Sequence, residues 1–380
     1  MNLTNVSAIF KKSVKYLLIV MAVYYLCIFV IFPGSASIIR AIFTKKVPAN
    51  ISFDLLDPLD FIEKPIGQLK PEYVLNTKDG KLPTNFPDKM TIYKFKPQQY
   101  SYLAGKNAIA EAATLGFTER DLISDLKGNI YRWRNSSTGS LLTIEIETRK
   151  LNLDTNLNGR NIDFSPGSIN QETATEISRE LFKSIFRFED PLYVEGYQNV
   201  RLGSYLGNKL YETTDTREAQ VALVDFYRSI ETYPIYGPDL SKGLLRCIIR
   251  DPSQNAYPMN NPMVEAYYWE VVTPSDATYP ISSVKEAWET VKTGGGVITR
   301  VTQRGTNPFD TYIPVEVEKI LIDNIYLAYY ETPKYQKHMQ PIYVFSGTYT
   351  TRGAPGGDIA IYFPAVAGQY IKQATPQTQQ

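Results

Sequence analysis

Two pairs of glutamates are spaced in a way that suits acid–base chemistry. Glu145 and Glu147, and likewise Glu316 and Glu318, are two residues apart within strand-like stretches. Alternate residues of a strand lie on one face about 6–7 Å apart, which is close to the separation that glycosidase carboxylates use. Any half-exposed strand also places charges in this way. We therefore interpret both pairs as solvated strand faces and assign no catalytic residue.

Other reactive residue types are scarce. The chain has one histidine, His338, and two cysteines, Cys27 and Cys247, which excludes multi-histidine or four-cysteine metal sites and a disulfide framework. A histidine-based triad would have to use His338, which we expect to be an exposed loop residue. Asp54, Asp57 and Asp60 follow one another at intervals of three residues, which differs from the alternating ligands of a calcium loop. We predict no metal, no cofactor and no enzymatic activity.

Net charge also narrows the classes of partner. Forty Lys and Arg against 39 Asp and Glu leave a formal charge of +1, so no global field favours nucleic acid. A partner must therefore be recognised by local contacts.

With 380 residues and 43% hydrophobic residues, the chain is long enough for two or three globular domains.

A long apolar run lies near the N-terminus. Seventeen residues from Tyr16 to Phe32 carry no charge, and small and apolar residues continue to Phe43 apart from Arg40. This predicts a transmembrane anchor over residues 16–43 in contact with the lipid bilayer, with residues 1–15 as a short cytoplasmic tail. The chain would then be a single-pass cell-membrane protein with its bulk extracytoplasmic. The alternative is a cleaved signal peptide with Ser35-Ala36-Ser37 as the cleavage region.

The rest of the chain divides by composition and pattern. Residues 47–90 are rich in proline and predict a stalk or an irregular wrapping segment. Helix-then-strands patterns follow at residues 91–165, 166–275 and 276–366, and residues 367–380 predict a disordered tail. The predicted fold class is α+β, with an N-terminal transmembrane helix followed by repeated helix-plus-antiparallel-sheet modules.

Capping residues and alternation mark these modules. Ser168 with Gln171, and Ser283 with Glu286, have capping-box spacing ahead of apolar stripes. The stretch LLTIEIET alternates apolar and polar residues, as in a strand with one wet face.

Three segments carry a family resemblance. They are YPISSVKEAWETVKTGGG, IDNIYLAYYETPKYQKHMQPIYVFSG and IAIYFPAV. Together they resemble PepSY-like modules of membrane-anchored extracytoplasmic regulators, including accessory proteins of cell-wall sensor kinases, over residues of about 165–366. The resemblance implies a tandem of small α+β modules used for protein contacts, kinase regulation or peptidase inhibition.

Consecutive aromatic residues predict core packing as the default and a contact surface as the alternative. Neighbours on a strand face opposite ways, so the runs YYW and YY need either cover on both faces or one free aromatic face. In the last module the more aliphatic set, Ile325, Leu327 and Tyr329, should face the helix. The candidate interaction face is then formed by Tyr326, Tyr330, Tyr267 and Trp269.

These observations predict a function in binding. We expect a membrane-tethered extracytoplasmic binding or regulatory protein that acts through protein–protein contacts with an envelope protein and does not bind nucleic acid. The alternatives are a cell-envelope hydrolase that uses carboxylates, or a structural or adhesive surface subunit.

Overall fold

The computed structural model falls into two compact units, residues 1–49 and residues 50–380. The described residues are 16–18, 20, 21 and 24, and then 48–97, 103–123, 129–155, 166–167, 169–207, 209–251 and 261–373.

The predicted membrane anchor is not supported by the structure. Tyr16–Leu18, Val20, Met21 and Tyr24 are helical and exposed. Across the described residues we find no helix with the length and apolar character that a membrane crossing needs. A span requires about 20 consecutive apolar helical residues, so apolar composition alone is not sufficient. The prediction of a single-pass anchor over 16–43, and of a cell-membrane location, is therefore wrong on this finding; the other residues of 1–47 lie outside the described residues.

Strands dominate the described part of residues 50–380, which holds eighteen strands and three α-helices. The helices are α1 (Ala104–Thr114), α2 (Gln171–Ser184) and α3 (Val284–Lys292). The strands are β1 (Glu72–Leu75), β2 (Lys89–Thr91), β3 (Tyr93–Phe95), β4 (Ile130–Arg134), β5 (Leu141–Glu145), β6 (Leu151–Asp154), β7 (Tyr197–Leu206), β8 (Lys209–Thr213), β9 (Val221–Ile230), β10 (Tyr233–Tyr236), β11 (Leu245–Ile249), β12 (Met263–Ala266), β13 (Val271–Val272), β14 (Thr278–Pro280), β15 (Val297–Gln303), β16 (Lys319–Tyr330), β17 (His338–Thr351) and β18 (Ala354–Pro364).

Sixteen of these strands form one mixed sheet, and β14 and β2 form a separate pair. The main path runs β13-β3-β17-β16-β10-β9-β11-β12-β6-β5-β4, with β1 on β16, β18 on β17, β15 on β18, β7 on β9 and β8 on β7. Pairing is antiparallel except for β1 with β16 and β10 with β16.

The predicted fold of repeated helix-plus-antiparallel-sheet modules is wrong. Strands pair across every expected boundary: β6 with β12, β3 with β17, and β10 with β16. A period-two pattern shows which side chains share a face, but it does not specify the neighbouring strand. The modules are therefore merged into one continuous sheet.

Helix α3 covers the C-terminal strands. Ser283 and Glu286 form the expected capping box, and Trp288 is buried against Phe345 with ring centroids 6.1 Å apart. Ile325, Leu327 and Tyr329 of β16 belong to the same core, so the predicted alternation along this strand is confirmed.

Helices α1 and α2 cover the other part of the sheet, with side chains of β5, β6, β9, β11 and β12 in a second core. Asn170 is the N-cap of α2 and accepts a hydrogen bond from the Thr173 amide at 2.9 Å. Ser168, the expected cap, lies outside the described residues.

The proline-rich segment crosses the fold. Leu56 is fully buried and pairs with Ile371, and the Lys64 amide donates to the Ile298 carbonyl at 2.7 Å. We call residues 56–64 the strap. Its Leu59 and Phe61 pack on the face of the sheet opposite α3.

Candidate interaction site at the open edge of strand β7

The four aromatic residues expected on a free face do not share one. Tyr330 and Trp269 are 0% and 2% exposed, while Tyr326 and Tyr267 are half-buried. The Tyr330 hydroxyl donates to the Asp60 carbonyl of the strap at 3.0 Å. Exposure of Tyr330 and Trp269 was a wrong prediction, because alternation shows which rings share a face but not what covers that face.

A buried ionic network surrounds Trp269. The Arg228 guanidinium donates to Glu331 Oε2, to Asp190 Oδ2 at 2.6 Å and to the Trp269 carbonyl at 3.1 Å. The Trp269 amide donates to Glu331 Oε1. Arg228 and Glu331 are fully buried, and their charged groups bind one another. We interpret this cluster as a connection between parts of the fold.

The paired glutamates do not form a reactive site. Strand β5 ends at Glu145, which accepts from Thr148 Oγ1 at 2.8 Å, so Glu147 lies beyond the strand. Glu316 accepts from the amides of residues 68 and 69, whereas Glu318 accepts from Arg352 at 3.0 Å. Glu145, Glu316 and Glu318 therefore each have a separate local partner.

The predictions for the cysteines and for the histidine differ in how well they agree with the structure. Cys247 is buried and its thiol donates to Ser178 Oγ at 3.2 Å, as expected for a buried thiol, whereas Cys27 lies outside the described residues. Burial raises the pKa of the Cys247 thiol to about 12. His338 was expected in an exposed loop, but it begins β17 and is 4% exposed. Among the described residues, no group of three or more His, Cys, Asp or Glu could hold a metal ion.

Strand β7 has one open edge. It pairs with β9 over Tyr197–Gly203, but with β8 only over Leu202–Leu206. β8 ends at Thr213, where the chain enters a turn in which Asp215 Oδ1 accepts from the Arg217 amide at 2.9 Å. Within the described ranges, no strand pairs with the outer side of β7 before Leu202.

The direction of the backbone groups along β7 follows from two contacts. The Gly203 carbonyl accepts from the Gln220 amide at 2.9 Å, and the Tyr205 amide donates to the Gln220 side chain. The backbone N–H and C=O groups of the odd-numbered residues of β7 therefore point towards β9. Backbone groups alternate between the two sides of a strand. The N–H and C=O groups of Gln198 and Val200 therefore point to the open side.

A groove of about 490 Å³ lies beside this edge. Its walls are the first turn of α2, strand β7 near Val200 and the end of β8 with the following turn; the lining residues are Asn170–Glu172, Val200–Leu202, Glu212–Thr214 and Thr216. Val200 and Leu202 pack into the core under α2, and Arg179 of α2 contacts the Gln198 side chain at 3.4 Å. The groove thus lies between a helix and an unpaired strand edge.

Tyrosines cover the other face of the edge. The Tyr197 ring is 42% exposed and stacks on Tyr227 with centroids 4.5 Å apart. Tyr236 and Tyr326 approach within 3.4 Å through their hydroxyls. Burial raises the pKa of Tyr197 and Tyr326, which keeps both phenols neutral. Of the four aromatic residues expected on a free face, Tyr326 is the one near this site.

Strand β15 lies at another border of the sheet and is protected. It has a bulge between Ile298 and Arg300, and the Lys64 amide of the strap occupies the Ile298 carbonyl. Arg304, which is exposed, also places positive charge there. Bulges and charges of this kind block pairing with other chains. In β7 the residues from Tyr197 to Arg201 have no bulge, and Arg201 binds Asp225 at 3.0 Å.

The sequence contained a signal for this hairpin that the patterns above did not use. Gly207 and Asn208 separate two short alternating runs, which is typical of a two-residue hairpin turn. The missing partner beside Val200 could not be inferred from the sequence, because it depends on where β8 ends.

Comparisons with known proteins do not identify the chain. No protein-family model and no curated protein matches it. One similar solved structure is the crystal structure of an uncharacterized protein from Eubacterium rectale ATCC 33656, with 13% identity and a TM-score of 0.40. The match covers 74% of this chain and 85% of that one. A similarity of this size supports no inference about function, and the resemblance to PepSY-like modules stays a prediction.

Proposed function

We propose that the chain is a non-catalytic binding or regulatory protein whose partner adds an extended strand to the open edge of β7. The observation that carries the proposal is the outward direction of the backbone groups of Gln198 and Val200 beside the groove. Strand addition uses backbone hydrogen bonds for affinity and neighbouring pockets for side-chain selection.

The dimensions of the edge fit a short peptide segment. The five residues Tyr197–Arg201 extend about 16 Å at about 3.3 Å per residue. One face of an added strand would meet the groove under α2, and the other would meet Tyr197. This cover on both sides distinguishes the edge from an ordinary exposed strand.

Proline substitution at an outward-facing residue tests the proposal. A library of random linear decapeptides would be selected on the purified full-length chain, and the dissociation constants of enriched peptides measured by fluorescence anisotropy. Val200→Pro removes an outward N–H while leaving the pairing with β9 intact, and proline is tolerated at strand edges. We expect at least tenfold weaker binding, equivalent to about 1.4 kcal/mol.

Val200→Ala is the matched control, since it removes packing but keeps the N–H group. Peptide binding by Val200→Ala should stay within about threefold of the wild-type value, or about 0.7 kcal/mol. Gln198→Pro and Gln198→Ala repeat the comparison at an exposed position. If no enriched peptide distinguishes proline from alanine at either site in variants with wild-type circular dichroism, the proposal is wrong.

A further inference from the structure

The groove beside β7 carries negative charge that the fold does not neutralise. Glu172 and Glu212 line it, and within the described residues neither has an ion-pair partner. Arg201, the cation of the lining, binds Asp225, which is fully buried, also accepts from the Gly243 amide at 2.9 Å and lies 3.6 Å from Arg246. A ligand in the groove therefore meets two carboxylates that have no ion-pair partner in the part of the chain that the structure describes.

The topology of the hairpin relates this charge to the direction of an added strand. β8 runs antiparallel to β7 and ends at Thr213, directly before the open part of the edge. A segment added antiparallel to β7 continues the line of β8, so its amino end lies next to Glu212–Thr216. A segment added parallel to β7 would place its carboxyl end there instead.

The charges favour the antiparallel arrangement. The N-terminus of α2 would attract an anion, but its Thr173 amide is already bound by Asn170 and Glu172 places a carboxylate in the first turn. A terminal carboxylate at this end of the groove would also be repelled by Glu212, whereas a cation would be attracted to both glutamates.

We infer, on the basis of the function proposed above, that the partner segment runs antiparallel to β7 and places a cationic group at its amino end in the groove that Glu172 and Glu212 line. That group is either a Lys or Arg side chain or a free α-amino group. The partner is thus a polypeptide with a basic amino-terminal end to its extended segment.

Charge-neutralising variants test this inference. The probes are the strongest peptides from the decapeptide selection, synthesised with free or acetylated amino termini and with each Lys or Arg replaced by Gln. Binding of the free peptide to Glu172→Gln/Glu212→Gln should be at least fivefold weaker than to wild type. Raising salt from 50 to 500 mM should weaken wild-type binding by a similar factor and leave the double variant nearly unchanged. Glu218→Gln, an exposed carboxylate outside the groove lining, is the control and should bind as wild type.

The two sources of the cation give different results. Loss of binding on acetylation identifies the α-amino group, and loss on Lys or Arg replacement identifies a side chain. If peptides need the outward N–H of Val200 but are indifferent to the glutamate variants, to salt and to both peptide changes, this inference is overturned and the proposed function stands. A preference for peptides with a free carboxyl end against the same glutamates overturns the inference as well.

Discussion

Arg228 and Glu331 form a fully buried salt bridge that joins strand β9 to the residue directly after strand β16. Asp190 binds the same guanidinium with Oδ2 while its Oδ1 accepts from the Leu192 amide at 2.9 Å. Residues that the sequence pattern places in separate modules therefore share one ionic network. This contact and the parallel pairing of β10 with β16 explain why the segments expected as separate modules, 166–275 and 276–366, form one sheet.

Removing one partner of this pair should strongly destabilise the fold. Glu331→Ala leaves Arg228 with Asp190 alone and removes the acceptor for the Trp269 amide, so we expect a loss of about 3–5 kcal/mol in the free energy of unfolding. Urea unfolding followed by tryptophan fluorescence measures it. Glu270, whose salt bridge with Lys96 is 60% exposed on each side, is the control, and Glu270→Ala should cost less than about 0.5 kcal/mol. Equal effects of the two variants would contradict this interpretation.

The turn between β9 and β10 contains removable backbone strain. Glu231 and Thr232 have φ values of 49° and 74°, and a β-branched residue in this region is costly. Thr232→Gly should raise the free energy of unfolding by about 0.5–1 kcal/mol, less than the relieved strain because glycine gains freedom in the unfolded chain. Glu231 is left unchanged because its Oε1 accepts from the Tyr93 hydroxyl at 2.7 Å.

The same replacement at an exposed strand position should lower the free energy of unfolding. Thr350 of β17 is exposed and does not have a positive φ, so Thr350→Gly is expected to cost about 0.5–1 kcal/mol. Thermal and chemical unfolding of both variants provide the comparison. A destabilised Thr232→Gly would show that the threonine side chain makes a needed contact.

Tyr326 and Tyr330, which were both expected on the candidate interaction face, should differ in their contribution to stability. Tyr330 packs on Phe61 and Tyr362, with ring centroids 4.8 and 5.9 Å away, whereas Tyr326 is half-buried. We expect Tyr330→Ser to cost about 3–5 kcal/mol and Tyr326→Ser to cost at least about 2 kcal/mol less. Separate unfolding curves for the single variants measure this difference; similar small costs would place Tyr330 outside the core.

Local features of the chain were readable from the sequence. Ser283, Glu286 and the apolar stripe through Trp288 predict α3, and the structure has the capping box and the buried face. Alternation in β16 assigns Ile325 and Leu327 to the side of α3, again as observed. These features depend on residues within about ten positions of each other, so local patterns determine them.

Features that depend on distant contacts were not readable. The strap covers Tyr330 from a position 270 residues earlier in the chain, and no periodicity reports such a contact. The open edge of β7 depends on β8 ending at Thr213, a boundary that neither composition nor alternation specifies. The candidate site was missed for the same reason, although Tyr326 beside it was named.

His338 should make the fold sensitive to acid. It is 4% exposed and stacks on Phe53 with centroids 4.7 Å apart, and neither ring nitrogen has a hydrogen-bond partner among the described residues. Burial first, and then the adjacent Lys337, lower the pKa of His338 to about 4, with Lys94 and Lys372 acting in the same direction and Asp57 opposing them. The folded chain therefore keeps this imidazole neutral at pH values where the unfolded chain, with a pKa of about 6.5, already binds a proton.

Because the unfolded state holds more protons between about pH 6.5 and pH 4, the contribution of His338 to stability is present above this window and falls as the pH falls through it. Because nearby solvent screens the charge, the expected loss in the free energy of unfolding is on the order of 2 kcal/mol. His338→Phe keeps a ring against Phe53 but does not titrate. Guanidinium unfolding at pH 7, 6, 5 and 4 should show that the variant loses about 2 kcal/mol less than the wild type, since carboxylate contributions are common to both. Parallel pH profiles for the two proteins would mean that His338 has the same pKa in the folded and the unfolded chain, contrary to its buried position.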